Sequence, residues 1–321
     1  MSKTAPHSVS TRLPDWRIEP IEVLRDRTDD FEVIDIRHPK ALVEARQTGF
    51  VWTRRDGLVC LAVNRQYLTM ACKNDRVRVI IAPPEVVGDR SVPGKCLVVS
   101  QRAEELYLYL HTLQEPGAID AIPQVDASAV VDASAVLRGD VSIGPRARIG
   151  PHVTICGPAV IGRDTCVDSG AIIGCEGLYA KEILGQQQHI QHFGGVDIGP
   201  SAFIHAGAVV VRSAIRGEAT RIGRGSHVGI LSNIGHDASI GENTTISSHC
   251  VIAGRARVGN DAWVGASATV SNGIQIGNHA RIRLGAVVIR DVPAGADVSG
   301  NFAMRHAHTM RRYLKEAGRA P

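Results

Sequence analysis

The amino-acid sequence predicts a mainly β protein whose short parallel strands wind into a triangular prism, a parallel β-helix. Its 321 residues are 44% hydrophobic but only 4% aromatic, and 33 of them are glycine. A core of this composition is filled by Val, Ile, Leu and Ala, in layers too thin for large rings. An aliphatic residue also recurs at every sixth position through most of residues 125–288. Together these features are typical of hexapeptide repeats stacked coil on coil.

The six-residue period is nearly unbroken. Aliphatic residues occupy it over positions 125–173, 198–210 and 222–288, with one exception at Arg216. A glycine often follows the aliphatic residue, where a corner needs close backbone approach, and a small residue often stands four positions after it. Three hexads make one coil, so the repeats predict about eight coils, each rising by one interstrand spacing of ~4.8 Å.

Residues 174–197 interrupt the period. They include Tyr179 and Phe193, whereas the repeats themselves are almost free of aromatic residues. We expect this segment to form a loop that protrudes from the prism. Loops carry functional residues more often than regular elements do, and a tolerated surface insertion is the alternative.

The chain divides into three predicted parts. Residues 1–120 predict a small α/β domain, residues 121–300 the prism, and residues 301–321 a C-terminal part with a basic helix at 303–318. Apolar and alternating patterns in the first part favour four strands and two helices. The strands are expected at 31–36, 57–63, 78–82 and 96–100, and the helices at 64–72 and 102–113.

The net charge of +4 is concentrated in the tail. Residues 301–321 contain five Arg or Lys and one Glu, so the remainder of the chain is neutral overall. A general nucleic-acid-binding surface is therefore not expected. The seven cysteines form no CxxC pair and lie mostly in apolar runs, which favours reduced thiols. The first residues lack the apolar core of a signal peptide and no apolar run approaches ~20 residues, so we expect a cytoplasmic protein without a transmembrane segment.

Three segments resemble the UDP-3-O-acylglucosamine N-acyltransferases, which add the second acyl chain in lipid A synthesis. Residues 169–178, SGAIIGCEGL, are similar to a segment near that family's loop, and residues 233–247, NIGHDASIGENTTIS, to its central segment. In the N-terminal domain, Leu61, Asn64 and Tyr67 are similar to the family's uracil-binding F-x-x-N-x-x-Y. The likeness covers most of the chain.

The resemblance implies left-handed coils and a homotrimer. It also implies acyl transfer from a thioester, carried by acyl carrier protein or coenzyme A, to the amino group of a nucleotide-linked amino sugar, with no metal or further cofactor. The family's catalytic histidine falls on His236, and the nucleotide-sugar site on Leu61, Asn64, Tyr67 and Asn233. The family's Gly-Phe-Gly-Phe is absent, Leu61 replaces a stacking Phe, and a second histidine is missing from a later coil, so the chain is expected to be a divergent relative.

His236 also stands out by its position. It follows the inward-facing Ile234 by two residues, so its side chain should point out of the prism, where a histidine can serve as a base near neutral pH. With 18-residue coils, Glu218 and Gly254 are expected on the two neighbouring coils. Gly254 leaves space beside the ring and offers an N–H to an oxyanion, and Glu218 is expected to orient the ring, with Asp237 as a competing partner. The alternative is a surface histidine without a role.

The nucleotide motif has two interpretations. Tyr67 is expected to stack on a uracil or thymine ring while Asn64 hydrogen-bonds the edge of that ring. The alternative is that Tyr67 packs with Leu68 in the domain core. A change in the acceptor KM on substitution of Tyr67 distinguishes the two.

The basic tail is expected to bind the donor. Arg311, Arg312 and Lys315 would attract an acidic carrier protein or the phosphates of coenzyme A. A solvated helix without a partner is the alternative.

Three other functions are compatible with the same repeat. A short-chain N-acetyl or N-formyl transferase for surface polysaccharide is favoured by the His236-Asp237 pair. A zinc hydratase needs histidines spaced H-x-x-x-x-H, which the sequence lacks, and the nearest pair, His189 and His192, has no evident third ligand. A non-catalytic scaffold explains neither His236 nor the nucleotide motif.

Overall fold

Parallel β-structure dominates the protein. A computed structural model describes residues 19–88, 92–115, 121–300 and 306–316. Three sheets of nine, eight and eight parallel strands form the faces of a prism, and a five-stranded sheet lies in the N-terminal domain. The predicted fold class, a left-handed parallel β-helix of hexapeptide repeats, is confirmed. Within the described ranges, no helix has the length and apolar character needed to cross a membrane.

The N-terminal domain is a sheet covered by helices. Four of its strands and its two longer helices lie close to the ranges predicted from sequence. The strands are β1 (Val33–Arg37), β2 (Gln47–Gly49), β3 (Leu58–Leu61), β4 (Val77–Ala82) and β5 (Cys96–Ser100), and the helices are α1 (Pro20–Asp26), α2 (Arg65–Lys73), α3 (Pro84–Val87) and α4 (Ala103–Thr112), with a 3₁₀ helix at Pro39–Glu44. The sheet order is β1-β5-β4-β3-β2; β1 runs antiparallel to β5, and the other neighbours are parallel.

Helices cover both faces of this sheet. Leu106 of α4 packs with Val79 of β4 on one face, and Leu68 of α2 packs with Ile80 on the other. Parallel strands buried on both faces have continuous apolar sequences. This explains why β4 and β5 show no alternation of polar and apolar residues.

The prism consists of 25 short strands arranged in three sheets. Up to β31, every third strand of the prism belongs to the same sheet, and β32 pairs with β30. In chain order they are β6 (Gln124–Val125), β7 (Val130–Val131), β8 (Val136–Arg138), β9 (Val141–Ile143), β10 (Arg148–Ile149), β11 (Thr154–Cys156), β12 (Ala159–Ile161), β13 (Cys166–Val167), β14 (Ile172–Cys175), then after a hairpin β17 (Gly195–Ile198), β18 (Phe203–Ile204), β19 (Val209–Val211), β20 (Ala219–Ile222), β21 (His227–Val228), β22 (Asn233–Ile234), β23 (Ser239–Ile240), β24 (Thr245–Ile246), β25 (Val251–Ile252), β26 (Arg257–Val258), β27 (Trp263–Val264), β28 (Thr269–Val270), β29 (Gln275–Ile276), β30 (Arg281–Ile282), β31 (Val287–Val288) and β32 (Asp297–Val298). Helix α5 (His306–Glu316) follows.

The aliphatic residues of the six-residue period fill the prism. Ile155, Ile173 and Ile234 are completely buried, like most members of the period. Each such side chain contributes about 1.5–3 kcal/mol on burial. The two aromatic residues of the repeats, Phe203 and Trp263, are only half-buried, because they lie on the outside of the prism.

One hexad does not form a strand. Ile234 pairs with Val210, 24 residues earlier, whereas Ile252 pairs with Ile234 at the regular spacing of 18. The six extra residues lie between β19 and β20 and include Arg216. The exception in the sequence pattern is therefore an insertion that bulges from one edge of the prism.

The loop at 174–197 is folded against the N-terminal domain. It contains the antiparallel hairpin of β15 (Ala180–Ile183) and β16 (Gln186–His189). Ile183 and Ile190 are buried in the same cluster as Leu106 of α4. The segment leaves the prism, as expected, and two isoleucines dock its hairpin onto helix α4.

Candidate active site

A cleft between the N-terminal domain, the loop and the prism contains His236. Its cavity volume is about 200 Å³. The N-terminal domain contributes mainly aromatic and apolar side chains, and the prism contributes most of the polar ones. The lining includes Phe50, Trp52, Leu61, Tyr67, Tyr107 and His111, then Tyr179 and Ile190 of the loop, and Ala214, Ile215, His236, Asp237 and Arg255 of the prism. The cleft brings His236 together with two of the three residues of the nucleotide motif.

His236 is paired with Asp237 through one ring nitrogen. Nδ1 of His236 lies 2.8 Å from Oδ2 of Asp237, and the two side chains are 12% and 6% exposed. Because Nδ1–H donates to the carboxylate, a neutral ring carries its lone pair on Nε2. This is the tautomer that a general base requires, and the carboxylate stabilises the imidazolium formed when Nε2 takes a proton.

Asp237 is itself held in place by three neighbours. Its carboxylate accepts hydrogen bonds from the hydroxyl of Ser213 and from the N–H of Ala214 at 3.4 Å. Its own N–H donates to Oγ1 of Thr220 at 2.9 Å. Ser213 and Ala214 belong to the inserted hexad, so the irregularity in the repeat supplies the donors that fix the partner of His236.

Two rings of the loop enclose His236. The ring of Tyr179 stacks on that of His236, with centroids 5.3 Å apart and planes 7° from parallel. The ring of His192 meets His236 edge-on, with centroids 5.4 Å apart. The loop therefore limits the access of water to one side of the imidazole.

Gly254 lies beside the other nitrogen of His236. A Cβ atom at Gly254 would lie 2.5 Å from Nε2 of His236, so any side chain there would collide with the ring. The N–H of Gly254 makes no hydrogen bond to any residue that the structure describes. The ring thus packs directly against Gly254, and a free donor lies next to the candidate base.

Glu218 does not occupy the position expected for it. The inserted hexad makes the coil before His236 six residues longer, so a spacing of 18 does not apply there. The carboxylate of Glu218 lies 3.9 Å from Arg221, and the residue does not line the cleft. The competing partner, Asp237, is the one paired with His236.

An aromatic wall lines the N-terminal side of the cleft. The rings of Phe50 and Trp52 stack at a centroid distance of 4.9 Å, and Trp52 meets Tyr67 edge-on at 5.9 Å. The guanidinium of Arg257 lies 5.8 Å from the Trp52 ring. Trp52 is 38% exposed, so this wall offers a ring face to a ligand.

The two asparagines assigned to the nucleotide site lie outside the lining of the cleft. Oδ1 of Asn64 accepts a hydrogen bond from the N–H of Tyr67 at 2.8 Å and caps helix α2. Asn233 is an exposed residue of strand β22, paired between Val209 and Val251. Asn64 thus has a local structural role that its motif position did not reveal.

His111 connects the N-terminal domain to the loop. Its Nδ1 lies 2.7 Å from the hydroxyl of Thr48, and its Nε2 lies 2.8 Å from the carbonyl oxygen of Gln191. The side chain is 1% exposed. Burial lowers the pKa of His111 from 6.5 to about 4, so the ring is neutral near pH 7. Its two hydrogen bonds join Thr48 of the domain to Gln191 of the loop.

The candidate donor-binding residues lie on helix α5. Arg311 and Lys315 are exposed on this helix. Arg312 belongs to the same helix, and its side chain lies outside the described part of the structure. The helix therefore presents at least two basic side chains to solvent.

Sequence analysis missed the aromatic wall and the anchors of Asp237. Phe50 and Trp52 are two of only thirteen aromatic residues and stand two positions apart, a clustering that could have drawn attention to them. The anchors, Ser213 and Thr220, have no sequence signal except their closeness to Arg216. A break in a regular repeat was the available clue.

Comparison with solved structures finds several UDP-N-acetylglucosamine acyltransferases of low sequence identity. A UDP-N-acetylglucosamine acyltransferase of Francisella novicida is 25% identical, with 64% of this chain and 75% of that chain covered and a TM-score of 0.48. The enzyme of Campylobacter jejuni is 23% identical, with 56% and 72% covered and a TM-score of 0.46. The enzyme of Arabidopsis is 21% identical, with 61% and 77% covered and a TM-score of 0.40.

Comparison with protein sequences identifies the repeat. No curated protein matches the chain. Residues 219–254 match the model of the bacterial transferase hexapeptide, six repeats. This stretch begins at strand β20 and ends at Gly254, so it contains His236 and both residues that flank its ring nitrogens. The hexapeptide repeat of bacterial transferases is thus present in the coils that carry the candidate site.

Proposed function

We propose that the protein is an acyltransferase that moves an acyl group from a thioester to the amino group of a nucleotide-linked amino sugar, with His236 as general base. The observation that carries the proposal is the arrangement around one ring. Nδ1 of His236 is held by Asp237, and Nε2 lies against Gly254, whose N–H makes no hydrogen bond to the described residues. The match of residues 219–254 to the hexapeptide repeat of bacterial transferases supports it.

The reaction follows from this arrangement. The acceptor amine attacks the thioester carbonyl, and Nε2 of His236 takes a proton from the attacking nitrogen. Asp237 stabilises the resulting imidazolium, and the N–H of Gly254 donates to the oxyanion of the tetrahedral intermediate. Collapse breaks the C–S bond, and the imidazolium returns its proton to the departing thiolate. The products are an amide and a free thiol.

The acceptor is bound by the aromatic wall. Trp52 and Tyr67 offer apolar ring faces to a base such as uracil, with Leu61 beside them in the cleft. Arg255 lines the same cleft, and Arg257 lies against Trp52. Guanidinium groups pair well with phosphate oxygens, so these two arginines suit the diphosphate that joins the base to the sugar.

The donor is bound by the basic helix, and the active unit is a homotrimer. Arg311 and Lys315 would attract an acidic carrier protein or the phosphates of coenzyme A. Exposed apolar side chains of the prism, such as Val287 at 71% and Ile289 at 68%, suit burial against further copies of the chain.

A matrix of donors and acceptors tests the proposal. Purified protein is incubated with acyl carrier protein and coenzyme A thioesters of several chain lengths. The acceptors are a UDP-linked amino sugar, its hydroxyl counterpart and the free amino sugar. We expect turnover with the UDP-linked amine and far less with the free sugar, which lacks the groups that the cleft binds. Turnover with the hydroxyl acceptor alone would overturn N-acylation, and absence of turnover throughout would overturn the proposal.

Transfer of a short acyl group is the second candidate. The cavity volume of about 200 Å³ lies below the range of about 300–1,000 Å³ common for ligand pockets. An acetyl or formyl group needs little of that space, whereas a long chain must extend beyond the cleft. The chain-length series in the matrix distinguishes the two: a maximum at one or two carbons favours the short-chain enzyme.

A further inference from the structure

Three side chains at the base of the loop form a cluster that takes no chemical step in the proposed acyl transfer. Glu176 follows strand β14, His189 ends strand β16, and His192 lies three residues further on. One potential ligand atom from each lies within 4.8 Å of the other two. Sequence analysis found the two histidines but no third ligand, because Glu176 joins them only through the folding of the hairpin.

His192 is the member that an ordinary surface ion pair does not explain. Its side chain is 2% exposed, and neither ring nitrogen has a hydrogen-bond partner in the ranges that the structure describes. Leaving a buried polar group unsatisfied costs about 1–3 kcal/mol. Nε2 of His192 would lie 3.5 Å from a Cβ at Gly177, so it faces the segment that carries Glu176.

The other two members are reachable from solvent. The side chains of Glu176 and His189 are 41% and 47% exposed, and Oε2 of Glu176 lies 2.6 Å from Nε2 of His189. An incoming ion would displace the proton shared by this pair. Ligand atoms of a tetrahedral zinc site lie about 3.3 Å apart, so the pair of Glu176 and His189 has to open slightly to admit the ion.

We propose that Glu176, His189 and His192 bind one zinc ion, which clamps the two ends of the loop together. Two imidazoles and one carboxylate are a donor set that zinc accepts, with a fourth position left for water. The ion satisfies the buried nitrogen of His192. It also fixes the loop that carries Tyr179 over His236, because Tyr179 lies between the ligands in sequence. The site is independent of the proposed acyl transfer, since its test measures metal binding alone.

The test is a metal titration of the full-length protein. Protein stripped with a chelator is titrated with Zn²⁺ by calorimetry, and Co²⁺ is added in a parallel experiment for its visible absorption. We expect about one ion per chain, with a Co²⁺ spectrum typical of a tetrahedral site. His189→Ala and Glu176→Gln should each weaken binding by at least ~10-fold. His279→Ala is the matched control, because that exposed ring also lies near a carboxylate, 3.9 Å from Asp261.

A second variant separates metal binding from the ion pair. A thiolate is a zinc ligand but cannot replace an imidazolium in a salt bridge, so His189→Cys should bind zinc more tightly than His189→Ala. Circular dichroism of the stripped proteins checks that each variant is folded. If His189→Ala is unfolded, Glu176→Gln provides the decisive titration, because it keeps the size of the side chain. The proposal would be overturned if wild type and Glu176→Gln bound zinc with equal affinity. It would also be overturned if His279→Ala lost as much zinc affinity as Glu176→Gln.

Discussion

The hydroxyl of Ser213 donates a hydrogen bond to the carboxylate of Asp237, 24 positions further along the chain. Ser213 lies in the one hexad that leaves the repeat, and Asp237 lies at a regular corner next to His236. The irregular segment thus anchors the regular one. A prism without the insertion would present His236 but would lack this donor to the carboxylate that orients it.

Loss of the base or of its partner should reduce turnover without unfolding the protein. We expect His236→Gln to lower kcat by ~10²–10⁴-fold. Asp237→Asn keeps the shape of the side chain but no longer stabilises the imidazolium, so kcat should fall by a similar order. Steady-state kinetics at saturating acceptor measures both. His279→Ala should match wild type, and a His236→Gln variant that keeps more than about a tenth of the activity would exclude His236 as the base.

A methyl group at Gly254 should block the site. The added Cβ would lie 2.5 Å from Nε2 of His236, so Gly254→Ala should displace the ring and lower kcat by ~10²-fold or more. Asn272→Ala changes an exposed residue at the same corner one coil further on, and it should leave kcat unchanged. Equal activity of the two variants would show that the space beside Nε2 is not needed.

Tyr67 and Asn64 should differ in what they affect. Tyr67→Ala removes part of the aromatic wall and should raise the acceptor KM several-fold while kcat changes little. Asn64→Ala removes the cap of helix α2 and should lower the free energy of unfolding by about 1 kcal/mol. Kinetics and urea denaturation on both variants separate binding from stability. An unchanged KM in Tyr67→Ala would remove this residue from the acceptor site.

The stability of the protein should fall in mild acid, partly because of His111. Its pKa is about 4 in the folded protein and 6.5 in the reference state. As the pH falls below about 6.5, the unfolded chain binds a proton that the folded protein does not, so stability is highest above this value and is lost towards pH 4. Between about pH 7.5 and 5, this group should account for about 2 kcal/mol.

His111→Gln tests the assignment of this loss. The variant cannot take up the proton, so its free energy of unfolding should vary less with pH than that of wild type. Urea denaturation at the two pH values measures the difference. Parallel losses in wild type and variant would mean that His111 does not contribute. The pKa of His192 is also lowered by burial to about 4, so part of the loss should persist in the variant.

Charge reversal on helix α5 should weaken donor binding. Arg311→Glu combined with Lys315→Glu should raise the KM of the carrier-protein donor and leave the acceptor KM unchanged. The effect should shrink with added salt, because exposed charges are screened over about 10 Å at 0.1 M. A donor KM that stays the same at low salt would show that this helix is exposed to solvent and does not bind the donor.

The repeat made the fold predictable. A period of six with aliphatic side chains permits few structures, since each strand is too short to bury its side chain except against the coils above and below. The same period places His236 and Gly254 at one corner, 18 residues apart, before any coordinates are known. The elements of the N-terminal domain were found because their apolar runs are long enough to identify strands and helices.

The remainder of the candidate site depends on contacts between distant segments. The expected partner Glu218 was displaced by an insertion whose effect on register cannot be read from periodicity, and Asp237 took that position. Trp52, Tyr67 and Tyr179 converge on one cleft only because the hairpin docks on helix α4. The sequence by itself determined the prism and the corner that carries His236, since both follow from local spacing. The tertiary structure decided which carboxylate orients the ring, which rings enclose it and which three side chains meet in the loop, because those contacts join parts of the chain that no repeat relates.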